Sequence, residues 1–171
     1  MATTAIVAET RSTASAGANG GGKYLTFMLG REEYGLPVLK VREIIKVMDI
    51  THVPHVAAHV LGVINLRGKV IPVIDLRRKF GFAAQDHTER TCIIVAEVAL
   101  SQAAVMMGVV VDAVSEVVNV SAAEIDSAPD FGGQNQTDYI LGLAKVKGGV
   151  KILLDLDRVL GSDGPIAIRP N

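Results

Sequence analysis

Hydrophobic positions in this chain fall in short runs bounded by glycine, proline or charged residues, a pattern of β-strands rather than long helices. The first run, 24–29, closes at a turn over Gly30-Arg31-Glu32-Glu33. Strands are then expected over 34–38, 41–45, 62–66 and 70–74. The last two flank Arg67-Gly68-Lys69, a hairpin loop in which glycine supplies the positive φ. Residues 76–81 read as a short helical turn. A second set follows over 92–98, 107–111, 114–118, 140–146 and 150–154, with a closing helical turn over 156–160. Polar segments near 85–89 and 131–138 separate these runs.

The two sets are one pattern used twice. A slide of 80 residues lays 62–81 over 142–161 with seven of twenty positions identical, among them Gly62/Gly142, Val70/Val150 and Asp75/Asp155. Average residue usage gives about one or two such matches. Earlier in the chain a slide of 73 lays Gly35, Val38, Val41 and Glu43 over Gly108, Val111, Val114 and Glu116. The two offsets differ by seven residues, which fit an insertion in the polar loop around 132–136 of the second copy. The order of matched blocks is preserved, so duplication is the simplest account. Each copy supplies roughly five short strands, enough for a small closed barrel. Units this small bury apolar surface poorly alone, so the two are expected to pack on each other. The expected division is a flexible tail over 1–22, one barrel over 23–87, a second over 88–161 and a C-terminal tail over 162–171.

Composition agrees with a packed β protein. Of 171 residues 49% are apolar, mostly Val, Ile and Leu, whose β-branched members favour pleated, half-buried surfaces. The net charge of −1 lacks the basic excess of a phosphate binder, and 4% aromatics without Trp supply no base-stacking platform. Nucleic acid is therefore not an expected partner. The N-terminus lacks the basic and apolar regions of a signal peptide, and no apolar stretch is long enough to span a bilayer. A cytoplasmic location is expected, without membrane insertion.

The candidate chemistry is thin. Gly17 to Lys23 has phosphate-loop spacing, but Tyr24 replaces the Ser or Thr that would touch magnesium, and a strand follows instead of a helix. His52, His55 and His59 are interrupted by Pro54, so no regular helix aligns them as metal ligands. The single cysteine, Cys92, lies in an apolar run and excludes an internal disulfide. No nucleophile elbow or paired carboxylate stands out. No cofactor, metal or catalytic residue is expected. What remains is charge inside apolar strands: Glu43 within Val41-Arg42-Glu43-Ile44-Ile45, and Arg67 after Asn65-Leu66. These fit either a solvent-facing alternation or a pair across the barrel that orients a docking surface.

The same segments carry a family resemblance. Tyr24-Leu25-Thr26-Phe27, Tyr34-Gly35-Leu36-Pro37-Val38, the run around Glu43 and the long block from Gly62 to Leu76 resemble the CheW family of bacterial chemotaxis coupling proteins. The likeness continues through Cys92-Ile93-Ile94-Val95, Gly108 to Val117 and Leu153-Leu154-Asp155-Leu156-Asp157, so it covers roughly 23–161. It implies an all-β fold of two tandem SH3-like five-stranded barrels. It also implies an adaptor that bridges the cytoplasmic tips of chemoreceptors to the regulatory domain of the histidine kinase CheA in membrane-associated arrays. Under it, Glu43 and Arg67 match a charged pair important for coupling. Val41, Gly62, Asn65, Val98 and Val111 match positions linked to partner contact. The alternative is a stand-alone module, like the regulatory domain of such a kinase, with other protein partners. The alanine-rich tail and the loop over 131–138 depart from the family pattern.

Overall fold

The structure, a computed structural model, describes residues 21–83, 85–100, 103–127, 139–146 and 149–161. The expected tails and the 131–138 loop lie outside the described residues, apart from the last two residues of the first tail. The elements in chain order are β1 (Gly22–Leu29), β2 (Glu32–Pro37), a 3-10 turn (Val38–Lys40), β3 (Val41–Lys46), β4 (Val60–Leu66), β5 (Lys69–Asp75) and α1 (Leu76–Lys79). The second half holds β6 (Cys92–Leu100), β7 (Ala103–Val111), β8 (Ala113–Val120), a 3-10 turn (Ala122–Glu124), β9 (Ile125–Asp126), β10 (Ile140–Val146), β11 (Gly149–Leu154) and α2 (Leu156–Gly161).

Two sheets form, with orders β8-β1-β2-β11-β10-β9 and β3-β6-β7-β5-β4. The first has six strands rather than the expected five, because the two-residue β9 pairs with β10. A capping box between Ser121 and Glu124 turns the chain from β8 into β9. Strands at opposite ends of the first sheet are thereby one short turn apart, and the sheet curls round a common core of Tyr24, Val118, Val120, Ala144, Val146 and Leu153. The second sheet curls round Ile64, Ile71, Val73, Ile93, Val95 and Val110. In place of β9 it has a single bridge, Thr51 to Val63.

The largest apolar cluster lies in neither barrel but between them. Because side chains alternate across a strand, Leu25, Phe27 and Leu29 leave the interior of their own barrel and meet Val41, Ile94, Ala96, Val98, Met107, Val109 and Val111 of the other. Both short helices add to this seam through Leu76, Leu156, Val159 and Leu160. A stack of Phe27, Tyr34, Phe80 and Tyr139 runs through it.

The strand order corrects the division at 87/88. The β1–β2 hairpin lies in the sheet with β8–β11, while β6–β7 lies with β3–β5. One barrel is therefore continuous, from β3 to β7, and the other is assembled from both ends of the chain. The sequence repeat marks the duplicated unit, and the duplicated units have exchanged hairpins. The equivalence survives the exchange: β11 runs parallel to β2 with Leu153 opposite Gly35, and β5 runs parallel to β7 with Val73 opposite Gly108. The offsets of 80 and 73 relate these two pairings residue for residue.

Candidate functional site

The charged residues singled out in the strands meet at one end of the continuous barrel. β3 and β4 are its two edge strands, at opposite ends of the sheet order. Glu43 stands on β3 and Arg67 at the tip of the β4–β5 hairpin, and the guanidinium donates to Glu43 Oε1 across the gap between the edges. The Glu43 carboxylate raises the Arg67 pKa, through its hydrogen bond first and its charge second. Arg67 is 69% exposed and Glu43 25%, so the pair faces solvent with its anion half sheltered.

The hairpin that carries Arg67 has a two-residue loop, since Leu66 pairs with Lys69. Both loop residues have positive φ, +52° for Arg67 and +89° for Gly68. That is the geometry of a type I′ turn, which suits the twist of the flanking strands and favours Asn-Gly. Asn65 Oδ1 accepts the Gly68 N–H at 2.9 Å and fixes the loop. Arg67 therefore sits in left-handed backbone that a non-glycine residue adopts only at a cost. Next to it, Val70 lies opposite Asn65 and is 67% exposed.

Of the other expected contact residues, Asn65 is exposed beside Arg67, whereas Val41, Gly62, Val98 and Val111 are buried. Val41, Val98 and Val111 are 1%, 0% and 1% exposed, and all three belong to the seam. A partner cannot touch them without opening the fold. Gly62 is buried beneath the Thr51 bridge. Its φ is +146°, and a Cβ placed there would stand 2.0 Å from Thr51 O. Gly142, its counterpart, lies equally close under β9, with Ile125 Cγ2 at 2.5 Å. Both glycines sit at register shifts that let the neighbouring segment cross. Asn65 is exposed at the same tip and shapes its turn, so it stands with Glu43 and Arg67 at this surface.

Sequence reasoning missed an exposed apolar pair. Val70 and Val150 are counterparts under the slide of 80 and are 67% and 53% exposed on equivalent strands. The signal was present in their identity within the repeat, but alternation alone assigns one of every two strand residues to solvent. Cys92 is half-buried, and its pKa is raised by desolvation, although the backbone of Val114 and the charge of Lys46 act against it. Among the described residues no group of His, Cys, Asp or Glu is placed to hold a metal ion. Among them, too, no helix is long and apolar enough to cross a membrane.

Residues 23–164 match the family model of the CheW-like domain. The chain is 38% identical over 148 residues to the chemotaxis protein CheW of Klebsiella aerogenes, covering 86% of this chain and 87% of that protein. It is 34% identical over 152 residues to the protein of the same name from Bacillus subtilis, covering 88% and 94%. The crystal structure of the scaffolding protein TtCheW from Thermoanaerobacter tengcongensis superposes with a TM-score of 0.75 at 33% identity. That match covers 86% of this chain and 98% of the other.

Proposed function

The chain belongs to the CheW family of chemotaxis coupling adaptors, and from that premise we propose that it bridges chemoreceptor tips to the regulatory domain of CheA without catalysing a reaction. The observation that carries the site is the Glu43–Arg67 pair, an ion pair held on a left-handed hairpin tip. Asn or Gly would relieve that backbone, so arginine at this position is favoured by something other than folding. A guanidinium with a carboxylate on one side keeps free N–H donors for an acidic or carbonyl-rich partner surface.

Two barrels give this module two similar ends and a seam. Each end carries an exposed valine, Val70 on one and Val150 on the other. Apolar spots of this size fit small, reversible contacts, and the many contacts of an array supply the avidity. Recruitment to the membrane then comes from the receptor, not from any segment of the adaptor inserted in lipid.

The test is reconstitution. Receptor cytoplasmic fragments and CheA are combined with and without this protein, and kinase activity is followed. Activity that depends on the adaptor, and falls when Arg67→Glu replaces it, is the expected result. Activity indifferent to the adaptor would overturn the coupling role.

A further inference from the structure

Duplication leaves the fold with a choice. Each hairpin, β1–β2 or β6–β7, has two similar strand sets to lie on: β3–β5 with α1, or β8–β11 with α2. In the structure each lies on the set from the other repeat unit. Own-unit pairing would place Gly35 opposite Val73 and Gly108 opposite Leu153, instead of the observed Gly35–Leu153 and Gly108–Val73. The backbone ladders would be alike in both arrangements and cannot decide between them.

We propose that three charge sites make this choice, each matched in the exchanged arrangement and mismatched in the other. The first is buried. Lys151 on β11 donates to Glu33 on β2 at 2.5 Å, with the lysine side chain only 8% exposed. The counterparts in the other barrel are Ile71 and Met106, both apolar and both packed in its core. Own-unit pairing would set Glu33 against Ile71 and Lys151 against Met106. That separates the two charges and leaves a deeply buried ammonium without its anion, a heavy penalty in a dry interior.

The second and third sites occupy corresponding places in the two halves and are reversed in sign: the offset of 80 relates Arg77 to Asp157, and Lys40 lies one residue beyond Leu39, the position that the offset of 73 relates to Asp112. Arg77 on α1 holds Asp112, in the crossover from β7 to β8, by two hydrogen bonds of 2.8 and 2.9 Å. Asp112 Oδ2 also accepts the N–H of Gly30, at the tip of the β1–β2 hairpin, at 2.8 Å. At the other end α2 offers Asp157, the counterpart of Arg77. It holds Lys40, in the crossover from β2 to β3, at 2.9 Å and accepts the Ala99 N–H near the tip of β6–β7 at 2.8 Å. The same three-part strap thus uses a helix cation and crossover anion at one end, and a helix anion and crossover cation at the other. Own-unit pairing would bring Arg77 to Lys40 and Asp157 to Asp112, two like-charge contacts. A sequence with the same sign at both ends would not discriminate. Polar groups that fix register or partner choice have this logic.

The experiment uses the full chain and reads pairing directly, by cross-strand proton contacts in NMR. The variant Glu33→Met/Lys151→Ile/Arg77→Asp/Asp112→Arg makes the buried site apolar in both arrangements and leaves the straps matched in both. The wild type is expected to give one set of resonances, with Gly35–Leu153 and Gly108–Val73 contacts. The variant is expected to give a second set carrying Gly35–Val73 contacts, at about one molecule in ten or more. A folded variant with Gly35–Leu153 contacts alone would overturn the proposal. Glu33→Leu/Lys151→Met/Arg77→Asp/Asp112→Arg, which keeps the length of the buried side chains without their charge, is read in the same way if the first variant does not fold. A merely stabilising role for these pairs predicts no second set there. Exchange between two chains would keep Gly35–Leu153 pairing, so dimers cannot imitate the expected signal.

Discussion

Arg67 reaches Glu43 across the open side of its barrel, joining the two edge strands of a sheet whose other strands are held by backbone hydrogen bonds. The pair is mostly solvent-exposed, so its contribution to stability is small, under about 1 kcal/mol. Arg67→Glu puts two carboxylates together, and repulsion in water is of similar size. Its melting temperature is expected within about 4 °C of wild type, given 2–4 °C per kcal/mol for a chain of this size. Binding to CheA or receptor fragments is expected to fall about tenfold or more, as for loss of a charged contact at an interface. Calorimetry and pull-down on the same preparation check this, and intact binding would remove Arg67 from the docking surface.

Arg67→Asn separates the backbone cost from the recognition role. Asn-Gly is the preferred loop for a type I′ turn, and Asn accepts left-handed backbone more readily than arginine does. Relief of about 1 kcal/mol offsets the lost ion pair. The variant is therefore expected to melt at or slightly above the wild-type temperature while binding partners more weakly. A clear loss of stability would mean that the ion pair, not the turn, governs this end of the barrel.

Gly62→Ala should behave in the opposite way. Its Cβ would meet Thr51 O at 2.0 Å, a contact that backbone must move to relieve, at a φ of +146° that alanine avoids. The expected cost is about 3 kcal/mol or more, a fall of roughly 6–12 °C in melting temperature. Loss of binding should then follow the loss of fold, with partner affinity recovering at low temperature. Thermal melts with binding measured at two temperatures distinguish this from a contact residue.

The strands were legible because their signals are local: alternation, flanking turns and the repeated block from Gly62 to Gly81. The charges of Glu43 and Arg67 were legible for the same reason, but their pairing was not, since a solvent-facing alternation fits the same residues and only the resemblance implies the pair. The exchange of hairpins was not legible either. Alternation in β1 and β2 specifies a two-faced hairpin and is silent about which of two similar sheets receives it. The information lies in pairs such as Glu33–Lys151 and Arg77–Asp112, separated by 118 and 35 residues, whose meaning appears only once the partners are known. The buried valines were misplaced for a related reason. Val41, Val98 and Val111 were named through the resemblance, and their place in the seam appears only once both barrels are packed.

Acid stability should report the strap at Asp112. Burial pushes its carboxyl pKa up, but the Arg77 hydrogen bond, the Gly30 N–H and the guanidinium charge together bring it below its ordinary value. A carboxyl depressed in the folded state stabilises the fold above the unfolded pKa of about 4, and that stabilisation is lost as pH falls through the folded value. Urea midpoints are thus expected to owe nothing to this group's titration between about pH 7 and 5, and to drop below about pH 4. Asp112→Asn should be less stable at neutral pH and show a shallower acid slope. Glu33, also lowered on balance by Lys151 against its own burial, keeps part of the slope in that variant. An unchanged slope would mean that the strap does not form in solution.

The last prediction concerns the two ends. Val70 and Val150 occupy equivalent positions on β5 and β11, each exposed and each beside a hairpin tip. Burying one such side chain at an interface is worth about 1.5–3 kcal/mol, and a glutamate in its place adds the desolvation of a charge. Because neither valine supports the core, Val70→Glu and Val150→Glu should each leave the melting temperature within a few degrees. If the ends dock independently, each variant should lose one binding event and keep the other. Sedimentation with an isolated CheA regulatory domain would then give two bound copies for wild type, one for either single variant and none for the double. Complete loss in either single variant would mean that one end carries all the binding, and that the repeat is a relic of duplication without a second docking role.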